Sequence, residues 1–136
     1  MILTNNILLR EQNTVLWVEG DQVDVLKKAR DLIHRGHRLL TSPLAASGRM
    51  HFSPVRSILL TDEAEQPEED SILAIENSLQ LLETSLAVHR VDYKNKDDYG
   101  FIDNELLTQA LNEINELDAR YQQIGGNQFE TGKTQG

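Results

Sequence analysis

The chain has no cysteine in its 136 residues, which removes disulfides, thiolate metal sites, cysteine nucleophiles and redox dithiols together. Aromatic residues make up only 5%, so aliphatic side chains must build the core. No apolar run approaches the length of a membrane span. The opening Met1-Ile2-Leu3-Thr4-Asn5-Asn6 also lacks the basic stretch and long apolar run of a signal peptide. These absences predict a cytoplasmic protein. Positive charge is scarce as well: 13 Lys and Arg against 22 Asp and Glu leave a net charge of −9, which argues against non-specific nucleic-acid binding. Neither G-x-x-x-x-G-K-[ST] nor G-x-G-x-x-G occurs, so no nucleotide site is predicted.

What positive charge there is gathers in one segment. Lys27, Lys28, Arg30, Arg35, Arg38, Arg49 and Arg56 stand there against the single acid Asp31, and the remainder is strongly acidic. The length and the 39% hydrophobic share fit one domain, read here as residues 1–124. The polar, glycine-containing stretch 125–136 reads as a flexible C-terminal tail.

Hydrophobic patterning predicts strands at Ile2-Leu3-Thr4, at Thr14-Val15-Leu16-Trp17-Val18, at Arg38-Leu39-Leu40-Thr41 and at Ser57-Ile58-Leu59-Leu60-Thr61. Between the second and third, Asp21 caps a helix whose Val23, Leu26, Ala29, Leu32 and Ile33 form an apolar stripe, and Gly36 ends it. Strand, helix, strand in this order reads as a right-handed unit with parallel strands. Asp62 to Asp70 reads as a solvated, mobile acidic connector. A long helix from about Ser71 to His89 carries Ile72, Ile75, Leu79, Leu82 and Leu86. A second, capped by Asp103 and stopped by Gly125-Gly126, carries Leu107, Ala110, Ile114, Leu117 and Tyr121. The expected fold is α/β: a small, mostly parallel sheet of about four strands in Rossmann-like layers, with two long C-terminal helices.

In such a sheet the carboxyl ends of all strands meet at one edge, where ligands bind. That edge would hold Thr4-Asn5-Asn6, Glu19-Gly20, Thr41-Ser42 and Thr61-Asp62. The loop Ser47-Gly48-Arg49 offers backbone N–H groups and a forked guanidinium to an anion, and Arg56 lies nearby in sequence. Asn5, Asn6, Ser42, Ser47, Gly48, Arg49 and Arg56 are therefore the candidate ligand-binding residues. The competing reading is a surface loop with solvated arginines. His34 and His37 stand either side of the helix-ending Gly36 without carboxylates at ligand spacing, so no metal is assigned. Ala46-Ser47-Gly48 lacks the preceding glycine of a nucleophile elbow, and no serine has an evident base. No catalytic residue and no cofactor are assigned. The leucine stripes read as core packing, or in part as a homodimer seam.

Met1 to Asn6, Val18-Glu19-Gly20, Asp24-Val25-Leu26 and the run from Ala29 through Gly36 to Leu44 resemble the GrdX family. Ser57-Ile58-Leu59-Leu60 and Ile75-Glu76-Asn77-Ser78 extend the similarity over roughly residues 1 to 90. The resemblance implies an accessory protein of the glycine, sarcosine and betaine reductase systems of anaerobic amino-acid-fermenting bacteria, with components of those reductases as partners. It brings no catalytic residues to carry over. Reductive cleavage in that system depends on thiol or selenol chemistry, and this chain has no cysteine to supply it. The expected function is thus a non-catalytic assembly or regulatory module. The alternative is a binding protein, or minor enzyme, for a small carboxylate or phosphate at the strand ends.

Overall fold

The computed structural model describes residues 1–133. Its sheet has three short strands, β1 (Ile2–Thr4), β2 (Val15–Trp17) and β3 (Ser57–Leu59), in the order β2-β1-β3. β1 pairs in parallel with β2, Leu3 opposite Leu16, and antiparallel with β3, Leu3 opposite Ile58. The expected four-stranded, mostly parallel, Rossmann-like sheet is therefore not formed; α/β remains, with a small mixed sheet.

Two local causes account for the difference. Residues 38–41 contribute only a lone antiparallel bridge, Leu39 to Leu60. Two backbone bonds flank it, Leu40 N–H to Leu59 O and Thr61 N–H to Arg38 O, both at 2.9 Å, but hydroxyl groups take other backbone donors: Arg38 N–H donates to Thr61 Oγ1 at 2.9 Å, Leu39 N–H to Ser71 Oγ at 3.0 Å, and Leu59 N–H to Thr41 Oγ1 at 3.1 Å. Side-chain oxygens that satisfy backbone donors in this way compete with strand pairing. The second cause is the segment between Thr41 and Ser57. A parallel return needs a crossover, usually a helix. This segment holds only a five-residue 3-10 turn, Gly48–Phe52, so the chain re-enters the sheet in the opposite sense.

Helix α1 (Gln22–His34) and helix α2 (Glu69–Val88) form as the apolar spacing predicts. Val25, Leu26, Ala29, Leu32 and Ile33 of α1 join Ile75, Leu79 and Leu82 of α2 over Leu3, Ile58 and Leu60 of the sheet. Burying each such side chain contributes about 1.5–3 kcal/mol. Asp24 accepts from the Asp21 backbone N–H at 2.8 Å and secures the start of α1. Gly36, at φ +114°, closes it, and His37 N–H reaches back to Leu32 O at 3.1 Å. The acidic connector is exposed but pinned: Glu65 N–H donates to Gly36 O at 3.1 Å, and Arg38 meets Glu65 at 3.4 Å and Glu68 at 3.6 Å.

Helix α3 spans Lys96–Lys133, starting well before Asp103 and running past Gly125-Gly126. Asp92, which accepts from Asn95 Nδ2 at 2.8 Å, sets up the 3-10 turn Tyr93–Asn95 that leads into it. Asp97 and Asp98 then place negative charge at its positive end. The chain divides into two compact units, Met1–Glu105 and Leu106–Gly136. In the second, Leu117 and Tyr121 are exposed rather than covered. Residues 134–136, the end of the stretch read as a tail, lie outside the described residues. Among the described residues no helix is long and apolar enough to cross a membrane.

Candidate functional site

The carboxyl end of β1 leads into a buried polar cluster. Asn5 Nδ2 donates to Gly20 O and Pro54 O, both at 2.8 Å, and its Oδ1 accepts from Arg56 N–H at 2.9 Å. One side chain thus joins the ends of three segments. Asn6 Nδ2 donates to Gly100 O and Asp103 Oδ2, each at 2.9 Å, and its Oδ1 accepts from Leu8 N–H. Gly100 packs close to the Asn6 amide: a Cβ there would lie 3.4 Å from Oδ1, in van der Waals contact.

Asp103 is the centre of the cluster. It is 1% exposed and accepts from Ser57 N–H at 2.8 Å, from Ser57 Oγ at 2.6 Å and from Asn6 Nδ2. Thr4 Oγ1 lies 2.7 Å from Ser57 Oγ and accepts from Asn6 N–H. Arg56 is buried beside this group, its Nε donating to Pro43 O at 2.8 Å and Nη2 to Ser42 O at 2.6 Å. Burial pushes the guanidinium below its ordinary pKa, and the charge of Asp103 opposes that shift.

The structure therefore brings Asn5, Asn6, Ser42 and Arg56 together, but as a fastening rather than an opening. Each is engaged by internal hydrogen bonds, Ser42 Oγ to Leu44 O included. Thr61-Asp62 falls at the other end of the sheet because β3 is reversed; there Asp62 meets the Met1 amino group at 2.6 Å, which holds its carboxyl below the usual range. Gln22, buried on α1, donates to Met50 O and Ser53 O and fixes the intervening loop. Sequence reasoning gave Gln22 no role, and it assigned Asp103 as a helix cap where the structure makes it a buried acceptor. Their positions were the available signal, since each occupies a stripe otherwise apolar: Gln22 before Val25 and Ala29, Asp103 four before Leu107.

Ser47, Gly48 and Arg49 lie elsewhere. Ser47 and Arg49 line a pocket of about 440 Å³ with Met50, Asp92, Asn95, Asp98, Tyr99 and Ile102. Asp92 N–H donates to Phe52 O at 2.8 Å and ties its two walls together. Hydrogen bonding from Asn95 holds the Asp92 carboxyl below its usual range. Burial, then the charge of Asp92, raises the Tyr99 phenol, while Arg49 opposes the rise. Two acids face one arginine, so a phosphate is opposed rather than cradled. Among the described residues neither Arg49 nor Asp98 has a side-chain hydrogen bond or ion pair.

A smaller cleft of about 130 Å³ lies against Asn6, Ile7, Leu8, Val55, Lys96, Asp97 and Gly100. Ile7 and Leu8, which line it, are more than half exposed, as is Phe101, the residue after the lining Gly100. The basic segment does not make one positive face: Arg30 meets Glu76, Arg38 meets Glu65 and Glu68, Arg56 is buried and Arg49 faces acids. Among the described residues no three His, Asp or Glu side chains gather to hold a metal ion. A family model for GrdX-like protein matches residues 1–112. No curated protein and no solved structure matches the chain.

Proposed function

Because the chain belongs to the GrdX-like protein family, we propose that it serves the glycine reductase system as a non-catalytic accessory module that docks on a reductase component. The observation that supports this is the state of the strand edge. Asn5, Asn6, Arg56, Ser57 and Asp103 are all engaged internally, while Ile7 and Leu8 stand exposed along the small cleft. An edge whose polar groups are closed and whose neighbours are apolar suits a protein surface better than a small anion. Binding of separately purified glycine, sarcosine and betaine reductase components to the intact chain tests it. One component is expected to bind, and Leu8→Asp is expected to weaken that binding at least about tenfold. Binding to none of them overturns the reading.

A second reading has its own observation: Arg49 and Asp98 share a pocket with their charges unpaired. A carboxylate compound that also carries an ammonium group would satisfy both. β-Alanine is expected to shift the amides of residues 47–50 and 92–99 at roughly millimolar concentration. Acetate, methylammonium and phosphate are each expected to act at least about tenfold more weakly. Acetate acting as strongly as β-alanine removes this reading.

A further inference from the structure

Helix α2 has a second, outward face. Leu73, Asn77, Gln80, Leu81, Thr84 and Val88 are all exposed. At 3.6 residues per turn these six fall within an arc of about 100° that runs from the second turn to the last. None is charged, in a chain whose charged share is 26%. The two acids in this stretch, Glu76 and Glu83, fall to one side of the arc. The three aliphatic side chains are well out in solvent: Leu73 and Leu81 are each 52% exposed and Val88 is 75% exposed.

The two ends of this face carry opposite charge. Glu69 and Asp70 stand in its first turn, and His89 and Arg90 follow directly after its last. Among the described residues Glu69, Asp70 and Arg90 make no ion pair. We infer that this face pairs with the same face of a second copy of the chain, the two α2 helices lying antiparallel across a two-fold axis between Gln80 and Leu81.

That register sets Leu73 against Val88 of the other copy, Asn77 against Thr84, and the central Leu81 side chains beside the axis. It also brings each acidic first turn to the Arg90 of its neighbour. A two-fold interface requires that residue i meets j while j meets i. A parallel pair can meet that requirement too, but it sets acid against acid and base against base; only the antiparallel pair brings the acidic start to the basic finish. The helix dipoles favour the same arrangement, since each negative end then lies by a positive one.

Sedimentation equilibrium of the full chain tests this. A species of twice the 15.4 kDa chain mass is expected at about 100 µM. Leu81→Glu is expected to return it to monomer with unchanged circular dichroism, because the side chain lies on the surface. Arg90→Glu is expected to weaken the dimer about tenfold, and adding Asp70→Arg to restore it. A monomer at every concentration, or a dimer indifferent to Leu81→Glu, overturns the proposal. Failure of the charge exchange to restore pairing overturns the antiparallel register.

Discussion

Asp103→Ala is expected to cost the fold about 3–5 kcal/mol, a large share of the 5–15 kcal/mol typical of a domain. The carboxylate accepts from Ser57 N–H, Ser57 Oγ and Asn6 Nδ2 in a site closed to water. Without it the Ser57 hydroxyl can still turn to Thr4, 2.7 Å away. The Ser57 N–H and one Asn6 N–H have no such alternative, and each buried donor left without a partner costs about 1–3 kcal/mol. Arg56 also loses the charge that compensates its burial. Asp103→Asn should cost less, about 1–2 kcal/mol: one oxygen still accepts from Ser57 N–H, the Ser57 hydroxyl can turn to Thr4, and the Asn6 contact is left donor against donor. Urea unfolding reads both variants as a lower midpoint at constant slope. A loss below about 1 kcal/mol for the alanine variant would mean that the carboxylate does not hold these groups.

Gly36→Ala should cost about 3 kcal/mol or more, from two independent sources. At φ +114° the backbone disfavours any side chain. A Cβ there would stand 1.9 Å from Glu65 O and 2.8 Å from both Glu65 C and Glu65 N, all main-chain atoms that cannot swing aside. The connector would have to lift, breaking the Glu65 N–H to Gly36 O bond and drawing Glu65 and Glu68 away from Arg38. Gly48→Ala is the control: nothing lies within 4 Å of its added carbon, so its effect should stay within about 0.5 kcal/mol. Equal thermal midpoints for the two variants would refute the argument.

The helices were legible because their information is local. Ile75, Leu79 and Leu82 recur at helical spacing, and the structure buries all three. Gly36 was legible for the same reason, as a residue type suited to one backbone conformation. The sheet was legible only in part. Its three strands fall inside predicted apolar runs, but their order and sense were not legible, because pairing sense depends on a loop without periodicity. The apolar run Arg38–Thr41 looked like a strand because its hydroxyl partners, Thr61 and Ser71, are distant in sequence. Asp103 read as a cap because capping is the commonest local use of that residue type before an apolar helix. Its actual partners, Asn6 and Ser57, are fixed only once the chain has folded. The same gap explains why Asn5, Asn6 and Arg56 looked like ligand-binding groups: a buried amide with internal partners and an exposed one awaiting a ligand are identical as letters.

The bond from Asn6 to Asp103 joins positions 97 apart. During synthesis the first strand emerges long before the carboxylate that completes its surroundings. Until Asp103 has left the ribosome, the Ser57 N–H must remain hydrated, so the sheet cannot close in its final form on a shorter nascent chain. Contacts of such span also delay refolding in solution, because the entropy of closing the loop is lost before the bond is gained. The sheet is thus fastened late, at a point that depends on the chain having extended at least as far as Asp103.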